Sequence, residues 1–283
     1  MSPRPTDRHV YECPIRWGDM DAQAHVNNAA WVDYLQEARV DYLLRGPIAE
    51  LLDRGVLVVS HAVEYLAPVV ADGTPMRIEL WVDSVGAARF SLCYELFHHD
   101  ALVGRARTVA TPYDLSGEAL RRLTDLERSA LQADLVATEP MRAVAKGDLG
   151  AAEQYPLTVR WSDLDAYGHV NNVKFFDYVQ EARIALLAED LGGDDGMWVV
   201  VRQDVHYLRP LPFRLDPYAV RIGVVAHGRT SITVAAEVID PADGTRFAHA
   251  DTVIVRTDAD GRPRELPRAG RFAAGAQPGR PPR

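Results

Sequence analysis

The chain has 283 residues, 47% of them hydrophobic and 25% charged, with a formal net charge of -9. That length suits one large domain or two of ordinary size, and the apolar share is ample for a core, which excludes disorder of the whole chain. The acidic balance excludes a nucleic-acid footprint and disfavours an anionic membrane surface, because both need clustered Lys and Arg.

Residues 1–10 are polar and lack the apolar stretch of a secretion signal, and no later run is long enough to span a bilayer. A cytoplasmic location without membrane insertion is therefore expected. A first strand is predicted over residues 11–16, followed by an acidic loop and a long helix. The loop and helix, residues 16–39 (RWGDMDAQAHVNNAAWVDYLQEAR), recur as residues 160–183 (RWSDLDAYGHVNNVKFFDYVQEAR), an offset of 144 with 15 of 24 positions identical. Internal repetition of this quality decides the domain count. Asn27-Asn28 and Asn171-Asn172 are good helix-start residues. Behind them, apolar positions fall at helical spacing: Trp31, Leu35, Ala38 and Tyr42 in one copy, Phe175, Val179, Ala182 and Leu186 in the other.

Runs rich in β-branched residues predict strands over residues 55–66, 76–85, 90–98 and 106–114. Cys13 and Cys93 lie in apolar runs and read as core residues of a reducing compartment. Residues 118–135 have helical character, and 136–153, with Pro140, Gly147 and Gly150, read as a linker. The second copy repeats the first, with strands over 155–161, 197–208, 218–226, 231–239 and 247–258. Beyond Asp258 a Gly, Pro, Arg and Ala mixture is expected to be disordered. The expected domains are 8–135 with a trailing helix and 154–258, separated by the linker 136–153 and followed by the tail 259–283. Each is an α+β unit in which an antiparallel sheet wraps one central helix.

The polar positions kept in both copies are Asp19, Asp21, His25, Asn27 and Asn28, matched by Asp163, Asp165, His169, Asn171 and Asn172. A carboxylate just before a helix N-terminus sits beside backbone N–H groups and the positive end of the helix dipole, where developing negative charge is stabilised. Such a carboxylate can attack a carbonyl or take a proton from water, which is acyl-transfer chemistry. The alternative for Asp19 and Asp163 is a turn-forming carboxylate, and that reading is preferred for this pair. His25 and His169 are close to balanced between a catalytic and a structural role. One asparagine of each pair is expected to be a cap. The Glu-Ala-Arg triplets at 37–39 and 181–183 are expected to make polar contacts from helix to sheet. An Asp-x-Asp-x-x-x-His cluster lacks the third carboxylate or second histidine of a metal centre, so neither metal nor cofactor is expected there. The chain also lacks a Gly-x-Ser-x-Gly elbow and a P-loop.

A strand, then Asp-x-Asp-x-x-Gly-His-Val-Asn-Asn, then a helix with Glu-Ala-Arg resembles the 4-hydroxybenzoyl-CoA thioesterase-like branch of the hotdog hydrolases. The tandem layout is similar to that of acyl-ACP thioesterases. The resemblance spans about residues 8–258 and implies two hotdog domains paired as an internal pseudo-dimer, each pocket at the seam. It implies that the second acidic residue, Asp21 and Asp165, is the catalytic carboxylate and that His25 and His169 orient water or carbonyl. The asparagine of the acyl-ACP enzymes is replaced by Gln23 and Tyr167, and copy one has Ala24 where copy two has Gly168. If positive φ or close approach is needed there, copy one is the weaker site. Asn27, Asn28, Asn171, Asn172, Gln23, Tyr167 and Gly168 are the expected substrate-binding positions. The expected substrate is an acyl-CoA, with an acyl carrier protein as the alternative donor, and double-hotdog chains are open to further homo-oligomerisation. A non-catalytic acyl-CoA sensor is the competing class, since fold does not fix function.

Overall fold

The computed structural model describes residues 8–147, 149–150, 152–191, 197–258 and 260–266, without the side chains of 189–191. The chain divides between Met141 and Arg142 into two compact units. Unit 1 begins with β1 (His9–Cys13), then α1 (Ala30–Arg45), α2 (Glu50–Arg54), β2 (Val56–Tyr65), β3 (Met76–Val85), β4 (Phe90–His98), β5 (Ala101–Asp114), β6 (Ala119–Leu120) and α3 (Asp125–Ala133). Its antiparallel sheet runs β1-β3-β4-β5-β2, with β6 paired to β5. Unit 2 contains β7 (Glu153–Leu157), α4 (Lys174–Leu191), β8 (Met197–Tyr207), β9 (Tyr218–His227), β10 (Ser231–Ile239) and β11 (Arg246–Thr257). Its sheet runs β7-β9-β10-β11-β8, the same topology as unit 1.

The central helices form because their apolar stripes have a sheet to face. In α1, Trp31, Leu35 and Ala38 are buried, and in α4, Phe175, Val179, Ala182 and Leu186 are buried. Removing a Leu, Phe or Val side chain from water in this way is worth about 1.5–3 kcal/mol each. Tyr42 departs from the expected stripe: it is half-buried, and its hydroxyl donates to Asp134 Oδ2 at 2.7 Å, at the end of α3. The helix meets the sheet closely at Gly104 on β5, where an added Cβ would lie 2.4 Å from the Trp31 ring. The corresponding pair in unit 2 is Ala248 with the smaller Phe175, both buried.

Several boundaries move. Both helices start later than the asparagines, at Ala30 and Lys174, because a turn intervenes: the Ala30 and Lys174 amides donate to Asn27 O and Asn171 O, each at 2.9 Å. The helix expected over 118–135 begins only at Asp125. Residues 119–120 pair with β5 instead, and Thr124 caps α3 in a reciprocal box with Glu127. Strand β7 starts inside the expected linker, at Glu153. Part of the expected tail is ordered: Leu266 is buried, its amide donates to Arg229 O at 3.0 Å, and Pro263 bridges Thr257. Burial of Leu266 acts together with further backbone bonds, among them Arg264 N to Arg256 O at 2.8 Å, to dock this stretch. Residues 259 and 267–283 lie outside the described residues.

Candidate active site

In each unit the strand exits into a 3-10 turn, Trp17–Asp19 and Trp161–Asp163, whose last residue is the first motif aspartate. Asp19 Oδ2 accepts the Arg16 amide at 2.9 Å and the Tyr34 hydroxyl at 2.7 Å. Asp163 Oδ2 accepts the Arg160 amide and the Tyr178 hydroxyl at the same two distances. Burial, and then the bond to the carboxylate, pushes both tyrosine hydroxyls far above their ordinary range, so they remain donors. The first aspartate therefore ties the loop to the central helix.

The loop then closes on itself. The Asp21 amide donates to His25 O at 2.8 Å and the Ala24 amide to Asp21 O at 3.0 Å; Asp165, His169 and Gly168 repeat this at 2.9 and 3.0 Å. The closure requires a left-handed residue at the fourth position, and φ is +59° at Ala24 and +77° at Gly168. An added Cβ at Gly168 would meet nothing within 4 Å, so conformation and not close approach is the reason for glycine there. Ala24 adopts it at a cost of about 1–2 kcal/mol.

The second aspartates are held differently from the first. Asp21 Oδ1 accepts the Gln23 amide at 2.8 Å and, loosely, the His25 amide at 3.4 Å; Asp165 Oδ1 accepts the Tyr167 amide at 2.9 Å. Among the described residues nothing donates to Oδ2 of either, and both residues are half-buried. His25 and His169 are also half-buried. Asn27 Oδ1 accepts the Ala29 amide at 2.9 Å and Asn171 Oδ1 the Val173 amide at 3.3 Å, so the first asparagine of each pair caps the turn before the helix, while α1 itself starts from Ala29 without a side-chain cap. The second offers its carbonyl: Asn28 O and Asn172 O accept the hydroxyls of Tyr65 and Tyr207, each at 2.8 Å. Gln23, Ala24 and Gly168 are exposed, and Tyr167 is half-buried.

Four tyrosines thus position the loop without having been singled out for it. Their signal was present, because Tyr34 and Tyr178 share the 144-residue offset and Tyr65 and Tyr207 share an offset of 142. The triplet arginines are buried: Arg183 Nη1 donates to Gln203 on β8 at 3.5 Å, a contact from helix to sheet, and Arg39 is 5% exposed. In unit 2 a cavity of about 550 Å³ opens beside α4, walled by Tyr155, Arg160, Asp163, Lys174, Tyr178 and Glu181 among others. Its wall includes Asp163 but not Asp165 or His169.

A family model described as the thioesterase-like superfamily matches residues 15–140 and 159–275, one segment for each copy of the motif. The chain belongs to this superfamily. No curated relative matches the sequence. Among solved structures, the thioesterase-like chain is similar to a 12:0-ACP thioesterase from Umbellularia californica at 16% identity and a TM-score of 0.72, over 89% of this chain and 95% of that one. A putative oleoyl thioesterase from Lactobacillus plantarum aligns at 12% identity and a TM-score of 0.74, over 88% and 96%. An acyl-ACP thioesterase from Bacteroides thetaiotaomicron aligns at 12% and 0.65, over 88% and 98%. At such identities these structures establish the fold, two tandem hotdog domains. Among the described residues no helix is long and apolar enough to cross a membrane.

Proposed function

We propose that this thioesterase-like protein hydrolyses an acyl-CoA to free acid and CoA, with Asp165 and Asp21 as the catalytic carboxylates. The observation that carries the reading is the division of labour within each Asp-x-Asp pair. The first carboxylate is spent on the Arg amide and Tyr hydroxyl that fasten the loop, while the second keeps Oδ2 without a donor among the described residues. A half-buried carboxylate held by one oxygen and without a donor among the described residues at the other is a competent nucleophile or general base.

In the reaction the free Oδ2 attacks the thioester carbonyl carbon, or takes a proton from a water that attacks it. The carbonyl oxygen, gaining charge, faces the start of α1 or α4, where the aligned peptide dipoles are positive. The Ala29, Ala30 and Val32 amides already have acceptors in Asn27 and Ala29, so the contribution at this end is that of the helix dipole as a whole. Collapse of the intermediate expels the CoA thiolate, which takes up a proton; where Oδ2 was the nucleophile, water then hydrolyses the resulting aspartyl–acyl anhydride to free acid and regenerated carboxylate, and where water attacked, the free acid forms directly. His25 and His169 orient the attacking water or the carbonyl, and Asn28, Asn172, Gln23, Tyr167 and Gly168 line the approach of the substrate, with the caps Asn27 and Asn171 beneath them. The chain's net charge of -9 disfavours an acidic carrier protein as acyl donor, which ranks CoA first.

Thiol release from a panel of acyl-CoA and acyl-ACP substrates, followed with a colorimetric thiol reagent, tests the reading. Asp165→Asn is expected to lower turnover at least about 100-fold with an unchanged melting temperature, and Asp21→Asn to have an equal or smaller effect. Unchanged rates in the double variant would refute the assignment. Tight acyl-CoA binding without thiol release would make the protein a sensor, and turnover confined to acyl-ACP would reassign the donor.

A further inference from the structure

Away from the motif, three potential metal ligands converge where the β4–β5 hairpin tip meets the loop between β2 and β3. Asp72 lies in that loop; His98 ends β4, and His99 follows it in the turn. Asp72 Oδ2 lies 2.6 Å from His99 Nε2 and Asp72 Oδ1 lies 3.4 Å from His98 Nε2, and the three donor atoms fall within 4.8 Å of one another. His98 is 7% exposed, and its Nε2 is buried with no hydrogen-bond partner. A buried imidazole nitrogen aimed at a carboxylate without bonding to it is a group waiting for a ligand.

We infer that Asp72, His98 and His99 form a binding site for a divalent transition cation of the Zn²⁺ class. Two imidazoles and one carboxylate are the donor set that Zn²⁺ accepts, at bonds of about 2.0–2.2 Å. Tetrahedral ligands on such bonds stand about 3.3–3.5 Å apart; His98 Nε2 already stands 3.4 Å from Asp72 Oδ1, and His99 Nε2, which now contacts the other oxygen at 2.6 Å, must swing by about 1 Å to share a cation with that pair. The His99 ring is 59% exposed and free to make that adjustment, and the same exposure leaves the remaining coordination position to water. The Thr74 amide donates to Asp72 Oδ1 at 2.9 Å and fixes the carboxylate.

The second unit shows what the site replaces. At the offset of 142 that relates Tyr65 to Tyr207, Asp72 corresponds to Arg214 and His98 to Asp240. Those two form a bidentate ion pair, with Arg214 Nη2 3.0 Å from Asp240 Oδ1, which joins the corresponding loop to the corresponding hairpin tip. Unit 1 carries a carboxylate on the loop and two imidazoles at the tip, and a cation completes the same tie. The tie reaches the motif, because Val69, three residues before Asp72, accepts the amide of Val26 at 2.7 Å, next to His25. The site is independent of the function proposed above.

The tag-free full chain, stripped with a chelator and titrated with ZnCl₂ by calorimetry, tests the inference. One Zn²⁺ per chain is expected to bind, with a rise in melting temperature of about 5 °C at a 100-fold excess over Kd. Co²⁺ is expected to give the visible d–d absorption of a low-coordinate nitrogen and oxygen site. His99→Ala and Asp72→Asn, both at accessible side chains, are expected to weaken binding at least 10-fold and abolish the Co²⁺ band. Absence of stoichiometric binding by the wild type overturns the site, as does binding that both variants leave unchanged.

Discussion

Asp19 and Asp163 are chemically identical to Asp21 and Asp165 and sit two residues away, yet their partners give them different work. Removing the Tyr178 hydroxyl deprives a buried carboxylate of a charge-assisted bond worth about 1.5–3 kcal/mol. Tyr178→Phe is therefore expected to lower the melting temperature, read by circular dichroism, whereas Asp165→Asn is expected to lower turnover and leave it in place. If Tyr178→Phe proves as stable as the wild type, the fastening role of Asp163 fails. Ala24 gives a second prediction at this scale. Its φ of +59° is strained for a residue with a Cβ, and the strain exceeds the extra chain entropy that glycine loses on folding. Ala24→Gly is expected to stabilise unit 1 by up to about 1 kcal/mol, measured as the shift of the urea midpoint, and to raise turnover at the Asp21 site if strain there limits it. Loss of stability would show that the loop tolerates alanine without cost.

Among the elements, the packing of α1 on β5 is the tightest contact between helix and sheet that the glycines mark. Trp31 fills the space over Gly104, while unit 2 has the smaller Phe175 and the larger Ala248 at the corresponding positions, so the combined volume of the two positions is kept by exchanging it between them. Gly104→Ala is expected to destabilise by about 1–3 kcal/mol, because the added Cβ would sit 2.4 Å from the indole. Adding Trp31→Phe is expected to recover most of that loss, a coupling read from a double-mutant cycle of denaturant unfolding. Additive effects would mean that the helix shifts to relieve the clash. The helix starts carry a related lesson. The asparagines do cap, but they cap a turn that precedes each helix, and the same Asn donates its own amide back to the acidic loop, Asn27 to Asp19 O and Asn171 to Asp163 O, each at 2.8 Å. The Thr124 box that starts α3 was readable in the sequence as Thr-x-x-Glu, while the helical composition upstream of it was misleading because β5 recruits residues 119–120 as a strand.

For the molecule as a whole, both cysteines end up inside the sheets. Burial pushes the Cys13 and Cys93 thiols up to about 12, and each is 5% exposed. Native protein is expected to show no reactive thiol toward an aromatic disulfide reagent at pH 8, and two equivalents after unfolding in guanidinium chloride. Rapid labelling of the native protein would contradict the burial. The same silence keeps the thiol-release assay free of background from the enzyme.

The duplication, the α+β class, the tandem hotdog architecture and the identity of the repeated polar residues were all legible in the chain. The duplication and the α+β class depend on local signals, namely apolar spacing, β-branched runs and an internal repeat, which survive without knowledge of contacts, whereas the hotdog architecture followed from the resemblance of the repeated motif to a known family. What only the tertiary structure decided is which of two neighbouring aspartates is tied down and which keeps an oxygen available. That outcome depends on Tyr34 and Tyr178, 15 residues along the chain and about one turn into a helix, reaching back to one carboxylate and not the other. The convergence of Asp72 with His98 and His99 was hidden for the same reason: 26 residues of chain separate them, and only the β3–β4–β5 meander brings the hairpin tip to the loop. Hydrogen bonds act over a few ångströms, so their partners are set by the path of the backbone and not by spacing in the sequence.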